Sequence, residues 1–356
     1  MRPTKEFIMT SFQNSGKKHL IITGYRNSGK TTLVQELLPM LPRKEEYIPG
    51  IDTYVVPNEC VILQDAVTKE KVKIGTAIES GMLPNPEGFR TLGVRALRDA
   101  QESEEEWAYI DEIGFLESEE ECFKNEIRTL LDRKCVLAVI RKQDLPFLNE
   151  IKARDDVWLI DLDDVKKKIG CVIMASGLGK RFGSNKLLAS FREKCLYQIA
   201  FDLTATREFD KRVVVTRTKE VYDAAISQGI PAIYHEFEGR NDVVRLGIEM
   251  MEGMDACVFC PCDQPLLKED SLIRLMQAYV EGNKSIFRLA WGNKPGTPIL
   301  FDKKYFAELK NLPAKKGGSY IAKIYEDELE FVQVDDEIEL RDVDTKADLE
   351  LLNAMN

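Results

Sequence analysis

The stretch HLIITGYRNSGKTT, residues 19–32, decides the fold of the first half of the chain. Apolar residues at 20–23 predict a strand, and the spacing at 31–38 predicts a helix. Between them, Gly24 to Thr31 match G-x-x-x-x-G-K-[ST], a pattern whose glycines let successive backbone N–H groups point at phosphate oxygens. A strand, such a loop and a helix in this order predict a P-loop domain.

The side chains of this loop have separate predicted roles. We expect Lys30 to neutralise the β- and γ-phosphates of a nucleoside triphosphate and the Thr31 hydroxyl to hold Mg²⁺. The predicted nucleotide-binding residues of the loop are Gly24, Asn27, Ser28, Gly29, Lys30, Thr31 and Thr32.

A P-loop site also needs a carboxylate near the metal ion, and the predicted strand at 107–110 ends at Asp111. Asp111 is therefore the second predicted Mg²⁺ ligand. Glu112 is predicted to be catalytic, by orienting or deprotonating the attacking water, with a solvated acid at a strand end as the alternative. The arginines with enough reach to add positive charge are Arg95, Arg98 and Arg141. The sequence does not choose among them.

The rest of the first half alternates strands with helices. A β-hairpin is predicted at 60–64 and 71–74, and a helix at 87–100. Ser118 is predicted to cap a second helix, 118–131, whose first turn carries three glutamates. Further strands are predicted at 135–140 and 157–160. This alternation predicts a mainly parallel sheet.

A charged segment, 161–170, separates the two halves. It ends in Lys166, Lys167 and Lys168 before a new strand at 171–175. We therefore place the domains at 1–165 and 170–356. Strands near 212–216, 232–234, 256–259 and 285–289 predict a second α/β domain.

The second half has a glycine loop of its own, SGLGKRFGSNK, residues 176–186. We expect Arg181 and Lys186 to neutralise the phosphates that leave as pyrophosphate, although an ordinary strand-to-helix connection could carry the same glycines. The predicted nucleotide-binding residues here are Ala175, Gly177, Gly179 and Lys186. Asp263 follows a strand and is the predicted Mg²⁺ ligand and, with Lys186 and Arg181, a predicted catalytic residue. Asp344 either assists with the metal or fixes the last segment of the chain.

Three of the eight cysteines, Cys257, Cys260 and Cys262, form C-x-x-C-x-C beside Asp263. Strand alternation places Cys260 and Cys262 on one face and Cys257 on the other. No second cysteine pair follows at ligand spacing, so buried thiols are expected rather than zinc or an iron–sulfur cluster.

Composition narrows the class of protein. The 356 residues carry a formal net charge of −10, which predicts no binding to nucleic acid or anionic lipid. The first 18 residues lack an apolar signal region, and no apolar run is long enough to span a membrane. A cytoplasmic protein without disulfides is expected.

With these motifs in place, residues 17–162 resemble the small nucleoside-triphosphatases first described from thermophiles. The likeness rests on residues 21–32, on residues 110–114 and on Glu117. It implies hydrolysis of ATP or GTP with loose base selectivity. The GTP-binding partners of molybdenum cofactor guanylyltransferases share the loop but fit the second motif less well.

Residues 170–353 resemble the molybdenum cofactor cytidylyltransferases, through A-[AS]-G-x-G-x-R-[MF]-G-x-x-K-L-L in the glycine loop. The later landmarks are Gly239 to Gly247 with Arg245, Cys262 to Pro265, Gly296 with Pro298, Lys316 to Gly318, and Asp342 to Thr345 with Asp348. The departures are Ser176, Phe182, residues 192–196, and Val243 with Val244, which stand where a hydroxyl residue is usual. The departures at residues 192–196 and at Val243 and Val244 concern the contacts to the acceptor or the base.

The two resemblances imply an α/β fold in two domains, a P-loop NTPase three-layer sandwich followed by a Rossmann-like nucleotidyltransferase fold of the nucleotide-diphospho-sugar transferase type. They imply transfer of CMP from CTP to molybdopterin with release of pyrophosphate, and hydrolysis of a nucleoside triphosphate by the first domain. Guanylyl transfer and a different phosphorylated acceptor are the alternatives. An alternative of another class is a nucleotide-gated module that delivers cofactor to a molybdenum hydroxylase apoenzyme.

Overall fold

The computed structural model describes residues 1–79, 81–177, 179 and 181–355. The chain divides into two compact units, Pro3–Val165 and the combination of Met1–Arg2 with Lys166–Asn356.

The first unit is built on one mixed sheet, which within the described residues has eight strands in the order β5-β4-β3-β2-β6-β7-β1-β8. The strands are β1 (His19–Thr23), β2 (Gly50–Val56), β3 (Cys60–Asp65), β4 (Lys71–Ile78), β5 (Gly81–Pro84), β6 (Trp107–Ile113), β7 (Cys135–Ile140) and β8 (Val157–Asp161). Strands β2, β6, β7, β1 and β8 pair in parallel, and β2 to β5 form an antiparallel meander. The predicted parallel sheet is confirmed, and the predicted hairpin is part of the meander.

Helices cover both faces of this sheet. They are α1 (Lys5–Ser15), α2 (Lys30–Leu37), α3 (Pro86–Gly88), α4 (Val94–Glu102), α5 (Glu121–Arg133), α6 (Pro146–Lys152) and α7 (Leu162–Val165), with a 3₁₀ turn at Leu38–Met40 and a π turn at Phe89–Gly93. Strand β1 is buried throughout because Ile21 packs under α4 to α6 while Leu20 and Ile22 pack under α1 and α2. Three layers result, as expected for strands buried on both faces.

One local prediction about a helix start needs correction, and one helix was missed. The helix expected at 118–131 begins at Glu121, and Glu120, not Ser118, occupies the cap position. Glu120 is buried and accepts hydrogen bonds from Arg90 Nε and Nη2 at 2.8 and 3.1 Å, so this glutamate is committed to a tertiary ion pair. Helix α1 was not predicted, although Thr4 caps it and Ile8 lies on its buried face.

The second unit is built on another mixed sheet, with seven strands among the described residues in the order β13-β12-β9-β14-β16-β15-β17. Together with a separate two-stranded ribbon, its strands are β9 (Ile169–Ala175), β10 (Ser190–Phe191), β11 (Lys194–Cys195), β12 (Lys211–Thr216), β13 (Ala232–Tyr234), β14 (Ala256–Pro261), β15 (Ile286–Trp291), β16 (Lys294–Asp302) and β17 (Leu329–Gln333). Strands β13, β12, β9 and β14 are parallel, and β16 runs antiparallel to β14 and β15.

Helices again cover both faces. They are α8 (Leu196–Leu203), α9 (Lys219–Ser227), α10 (Arg240–Glu249), α11 (Glu269–Glu281), α12 (Phe306–Lys310), α13 (Gly318–Ile324) and α14 (Lys346–Asn353), with 3₁₀ turns at Lys186–Leu188, Lys303–Tyr305, Glu326–Glu328 and Glu337–Leu340. Helices α8, α9 and α11 pack on the face that holds Cys260 and Cys262, and α10, α12 and α13 on the face that holds Cys257. The predicted alternation of these cysteines is confirmed, and all three are buried free thiols.

Among the residues that the structure describes, no helix is long and apolar enough to cross a membrane.

Candidate nucleotide sites

The P-loop connects β1 to α2 and borders a cavity of about 830 Å³ in the first unit. Gly24 has a φ of +153°, and a Cβ there would lie 2.5 Å from Ser28 Oγ, so the tight curl of the loop requires glycine at this position. The loop residues that line the cavity are Gly24, Asn27, Gly29, Lys30, Thr31 and Thr32. The Ser28 hydroxyl is instead buried inside the loop, without a hydrogen-bond partner.

Lys30, at the first position of α2, reaches across the loop. Its Nζ donates to the carbonyl oxygens of Gly24 and Tyr25, both at 3.0 Å, and lies 3.8 Å from Glu112 Oε1. The Lys30 ammonium group is therefore held against the P-loop. Phosphate oxygens would bind to the backbone N–H groups of the same loop.

Asp111 and Thr31 meet although they come from different elements. The Asp111 side chain is hydrogen-bonded to Thr31, and Asp111 is only 3% exposed. Burial raises the pKa of Asp111 to about 6, with smaller contributions from Glu112 and Asp52. A hydroxyl and a carboxylate side by side make a donor set that suits a hard divalent cation.

Asp52 is a member of this acidic group that the sequence did not reveal. It lies opposite Asp111 in the register of β2 and β6, and it accepts a hydrogen bond from Tyr109 Oη at 2.8 Å. Burial raises the pKa of Asp52 as well. The sequence does not reveal Asp52 because its strand, β2, pairs with β6, which is distant in the chain.

Glu112 lies between two cations. Arg141 Nε is 3.2 Å from Glu112 Oε2, Lys30 Nζ is 3.8 Å from Glu112 Oε1, and both cations line the cavity. The other two arginines considered above point elsewhere, because Arg95 pairs with Glu70 and Arg98 with Glu126 on the exposed surface of α4. Of the three arginines considered from the sequence, Arg141 is therefore the one that lines the cavity.

The glycine loop of the second unit follows β9, which lies between β12 and β14 in the sheet. Strands β9 and β14 are parallel, with Met174 opposite Pro261, so the residues after each strand emerge at the same edge. The loop and Asp263 are brought together for this reason. Ligands of open α/β sheets bind at the carboxyl ends of parallel strands.

Lys186 is the centre of this group. It is 6% exposed, and its Nζ lies 2.6 Å from Asp263 Oδ2, 2.9 Å from the Val343 carbonyl oxygen and 3.6 Å from Asp344 Oδ1. Gly177 passes close to it, since a Cβ on Gly177 would lie 3.6 Å from Lys186 Cε. The lysine therefore ties the glycine loop to two carboxylates from distant parts of the chain.

Arg181 joins the same group from its exposed side, with Nη2 at 2.9 Å from Asp344 Oδ2. The Gly179 carbonyl accepts from Phe182 N at 2.9 Å, and the Ala175 carbonyl accepts from Thr216 Oγ1 at 2.8 Å. Leu178 and Lys180 of this loop lie outside the described residues.

Gln264 connects the acidic group to a second cavity of about 590 Å³. Its Nε2, which carries two hydrogens, lies within hydrogen-bond distance of three acceptors, Thr297 Oγ1 at 2.9 Å, the Leu340 carbonyl oxygen at 3.1 Å and Asp342 Oδ1 at 2.9 Å. Residues around this cavity include Trp291, Lys294, Gly296, Ile338, Leu340 and Arg341. An aromatic ring therefore lines this cavity together with two cations, Lys294 and Arg341, and two acids, Asp336 and Glu337.

His235 is a further feature that the sequence did not place. The Ser176 hydroxyl donates to the Val215 carbonyl oxygen at 2.9 Å, so the contact of 2.8 Å between Ser176 Oγ and His235 Nε2 requires the imidazole to donate. Its Nδ1 is then a buried acceptor without a partner. Non-local pairing of β9, β12 and β13 creates this contact.

Both halves of the chain match known families. Residues 19–170 match the NTPase family, and residues 171–330 match the MobA-like NTP transferase domain family. A nucleoside-triphosphatase THEP1 of Thermotoga sp. (strain RQ2) is 35% identical over 81 residues, which are 22% of this chain and 46% of the relative.

A probable molybdenum cofactor guanylyltransferase of Aquifex aeolicus (strain VF5) is 25% identical over 112 residues, 31% of this chain and 54% of the relative. A solved nucleotidyl transferase from Methanothermobacter thermautotroptrophicus has 19% identity and a TM-score of 0.47, with coverage of 53% of this chain and 97% of that one. The chain spans about half the length of the two curated relatives. It is therefore a fusion of an NTPase-family domain with a MobA-like NTP transferase domain.

Proposed function

We propose that the chain is a bifunctional enzyme of molybdenum cofactor maturation, with functional domains at 1–165 and 170–356. The second domain transfers CMP from CTP to molybdopterin with release of pyrophosphate, and the first hydrolyses ATP or GTP. The observation that carries the proposal is the pairing of Lys186 with Asp263, 2.6 Å apart, where the glycine loop and the end of β14 meet.

Guanylyl transfer is the second candidate, because the relative from Aquifex aeolicus is named as a probable molybdenum cofactor guanylyltransferase. The choice between CTP and GTP depends on groups that face the base. Val243 and Val244, which stand where a hydroxyl residue is usual, are buried in the apolar core of the second unit. The recipient of the finished cofactor would be a molybdenum hydroxylase apoenzyme.

The donor sets of both sites fit Mg²⁺. Among the described residues, no group of three or more His, Cys, Asp or Glu side chains is arranged to hold a metal ion by itself. Mg²⁺ is usually held by one or two carboxylates together with substrate phosphates, which matches Thr31 with Asp111 in the first domain and Asp263 in the second. When bound, the ion would neutralise charge on the triphosphate.

The transfer reaction needs no protein base. The phosphate monoester of molybdopterin, with a second pKa of about 6, is already an anion at neutral pH and can attack the α-phosphorus directly. The bond from the α-phosphorus to the α–β bridging oxygen breaks, and its electron pair leaves with pyrophosphate. Lys186 and Arg181 are placed to neutralise that leaving group, and the backbone around Ala175, Gly177 and Gly179 to hold the phosphates.

The cavity beside Gln264 is the proposed entry for the acceptor. Trp291 offers a flat apolar surface for a ring system, and Arg341 offers positive charge for a phosphate, whereas Lys294 is paired with Glu337 at 2.6 Å.

In the first domain, the proposed hydrolysis uses Lys30 on the β- and γ-phosphates and Glu112 on the water. The backbone of residues 24–32, including Asn27 and Ser28, would cradle the phosphates.

The test offers each of the four nucleoside triphosphates with Mg²⁺, with and without molybdenum-loaded molybdopterin, and follows pyrophosphate. Pyrophosphate that appears only with CTP and the cofactor supports cytidylyl transfer, and the same result with GTP supports the second candidate. No pyrophosphate under any condition would contradict transfer to molybdopterin and favour a module that binds and delivers cofactor.

A further inference from the structure

Arg141 follows β7, the strand that lies between the two strands carrying the motifs of the first site. Strand β7 lies between β1, which leads into the P-loop, and β6, which carries Asp111 and Glu112 at its end. All three strands are parallel, so their carboxyl ends meet at one edge. Arg141 is the first residue after β7 and therefore lies between the two motifs of the site.

Three contacts hold the Arg141 side chain in place. Its Nε is 3.2 Å from Glu112 Oε2, and its guanidinium carbon lies 5.5 Å from the centre of the Phe115 ring. The side chain also passes over Gly114, where a Cβ would lie 2.8 Å from Arg141 Cδ. The Gly114 N–H donates to the buried carboxylate of Glu117, which fixes the backbone under the arginine.

The other cations that line this cavity are differently placed. Lys142 is paired with Asp161 at 2.8 Å and Asp163 at 3.3 Å. Lys30 is held by the loop carbonyls. Arg26 is exposed on the loop itself, whereas the Arg141 side chain is 36% exposed and contacts Glu112 and Phe115. Arg141 is thus the arginine whose position is fixed before nucleotide binds.

We propose that Arg141 stabilises the negative charge that develops on the transferred phosphate during hydrolysis, and that Gly114 positions it. The inference rests on the hydrolysis proposed for the first domain. The water oxygen bonds to the γ-phosphorus as the bond to the β–γ bridging oxygen breaks, and that electron pair stays on the nucleoside diphosphate. The proton of the water passes to Glu112 and then to solvent, while Arg141 keeps its own protons.

The first measurement is steady-state orthophosphate release by the full chain with MgATP and MgGTP. Arg141→Ala is expected to lower kcat by about 10³-fold and to change KM by less than about threefold, because a charge-stabilising arginine acts mainly in the transition state. Arg141→Lys is expected to recover less than about a tenth of the lost rate, since an ammonium cannot bridge two oxygens as guanidinium does. Arg95→Ala and Arg98→Ala, matched arginines of the same domain, should keep the full rate.

Gly114→Ala tests the positioning role without removing the arginine. We expect kcat to fall by about tenfold or more at nearly unchanged KM, because the added methyl group displaces Arg141. A full rate for Gly114→Ala would contradict the positioning role.

A merely structural role, in which Arg141 only orients Glu112, predicts different results. If Arg141 only orients Glu112, adding Arg141→Ala to Glu112→Gln should not lower kcat further. If Arg141 stabilises the transition state directly, the double variant should lose at least about another tenfold in kcat. Direct stabilisation also predicts that Arg141→Ala binds MgADP normally but fails to retain MgADP with aluminium fluoride, a mimic of the transferred phosphate.

Three results would overturn the proposed role of Arg141: a wild-type rate in Arg141→Ala, no additional loss in the Glu112→Gln background, or normal retention of MgADP with aluminium fluoride. Each of these leaves the proposed hydrolysis standing if the wild-type chain releases orthophosphate. Absence of orthophosphate release by the wild-type chain would instead overturn the proposed hydrolysis and this inference together.

Discussion

Lys186 Nζ lies 2.6 Å from Asp263 Oδ2, although 77 residues separate the two in sequence. The lysine comes from the end of the glycine loop and the aspartate from the end of the neighbouring strand. Because Lys186 is almost completely buried, this contact holds the Lys186 and Asp263 side chains in place before any ligand binds. The same pair is therefore a structural support and the proposed centre of nucleotidyl transfer.

Replacing Lys186 with Met should lower the free energy of unfolding of the second domain by about 2–4 kcal/mol, because a partly buried carboxylate loses its partner. Urea unfolding of the full chain measures this. The matched control is Lys194→Met, which removes the exposed pair between Lys194 and Asp202 and should cost less than about 1 kcal/mol. Equal losses in the two variants would show that the buried pair does not stabilise the fold.

Glu112→Gln should lower orthophosphate release by about 10²–10⁴-fold while nucleotide binding is kept, because the amide cannot accept the proton of the water. Pyrophosphate release by the second domain should not change. Glu119→Gln, an exposed glutamate of the same segment, serves as the control. Unchanged orthophosphate release in Glu112→Gln would remove this residue from the hydrolytic site.

Stability of the first domain should depend on pH through His19. Burial lowers the pKa of His19 from 6.5 to about 4, although Asp156, 3.2 Å from His19 Nε2, acts in the opposite direction. Between those two values the unfolded chain binds a proton that the folded chain does not, so the free energy of unfolding should decrease as pH falls from 6.5 to 4. The contribution is about 2–3 kcal/mol over this window.

The measurement compares urea unfolding of wild-type chain and His19→Asn between pH 7 and 4.5, followed by tryptophan fluorescence. Trp107 and Trp158 pack around Phe12 in the first domain and report its unfolding. The difference between the two curves isolates His19 from the other titrating groups. A constant difference across this range would exclude His19 as the source of the pH dependence.

The sequence predicted those parts of the fold that depend on local pattern. The P-loop, the strand that carries Asp111 and the alternation of the cysteines in and directly after β14 are each contained in a short segment. The structure has all three, although β6 continues past its predicted end at Asp111 to Ile113. Apolar periodicity and glycine spacing are local properties, so one sequence is enough to find them.

The parts that the sequence did not predict depend on contacts between distant segments. Asp52 lies beside Asp111 because β2 pairs with β6, and His235 reaches Ser176 because three parallel strands end together. Ser118 does not cap the helix that follows it, and Glu120, at the cap position, is paired with Arg90 of the π turn at Phe89–Gly93. Tertiary pairing of this kind overrides local preference for a cap.

The central claim is that one chain carries two separate chemistries, and the most direct test follows pyrophosphate and orthophosphate separately in three proteins. These are the wild-type chain, Asp263→Asn and Lys30→Ala, each supplied with Mg²⁺, the nucleoside triphosphates and molybdenum-loaded molybdopterin. We expect Asp263→Asn to lose pyrophosphate release by about 10²-fold or more while it keeps orthophosphate release, and Lys30→Ala to show the reverse. Full pyrophosphate release by Asp263→Asn, or loss of both products in either variant while it remains folded, would contradict the claim.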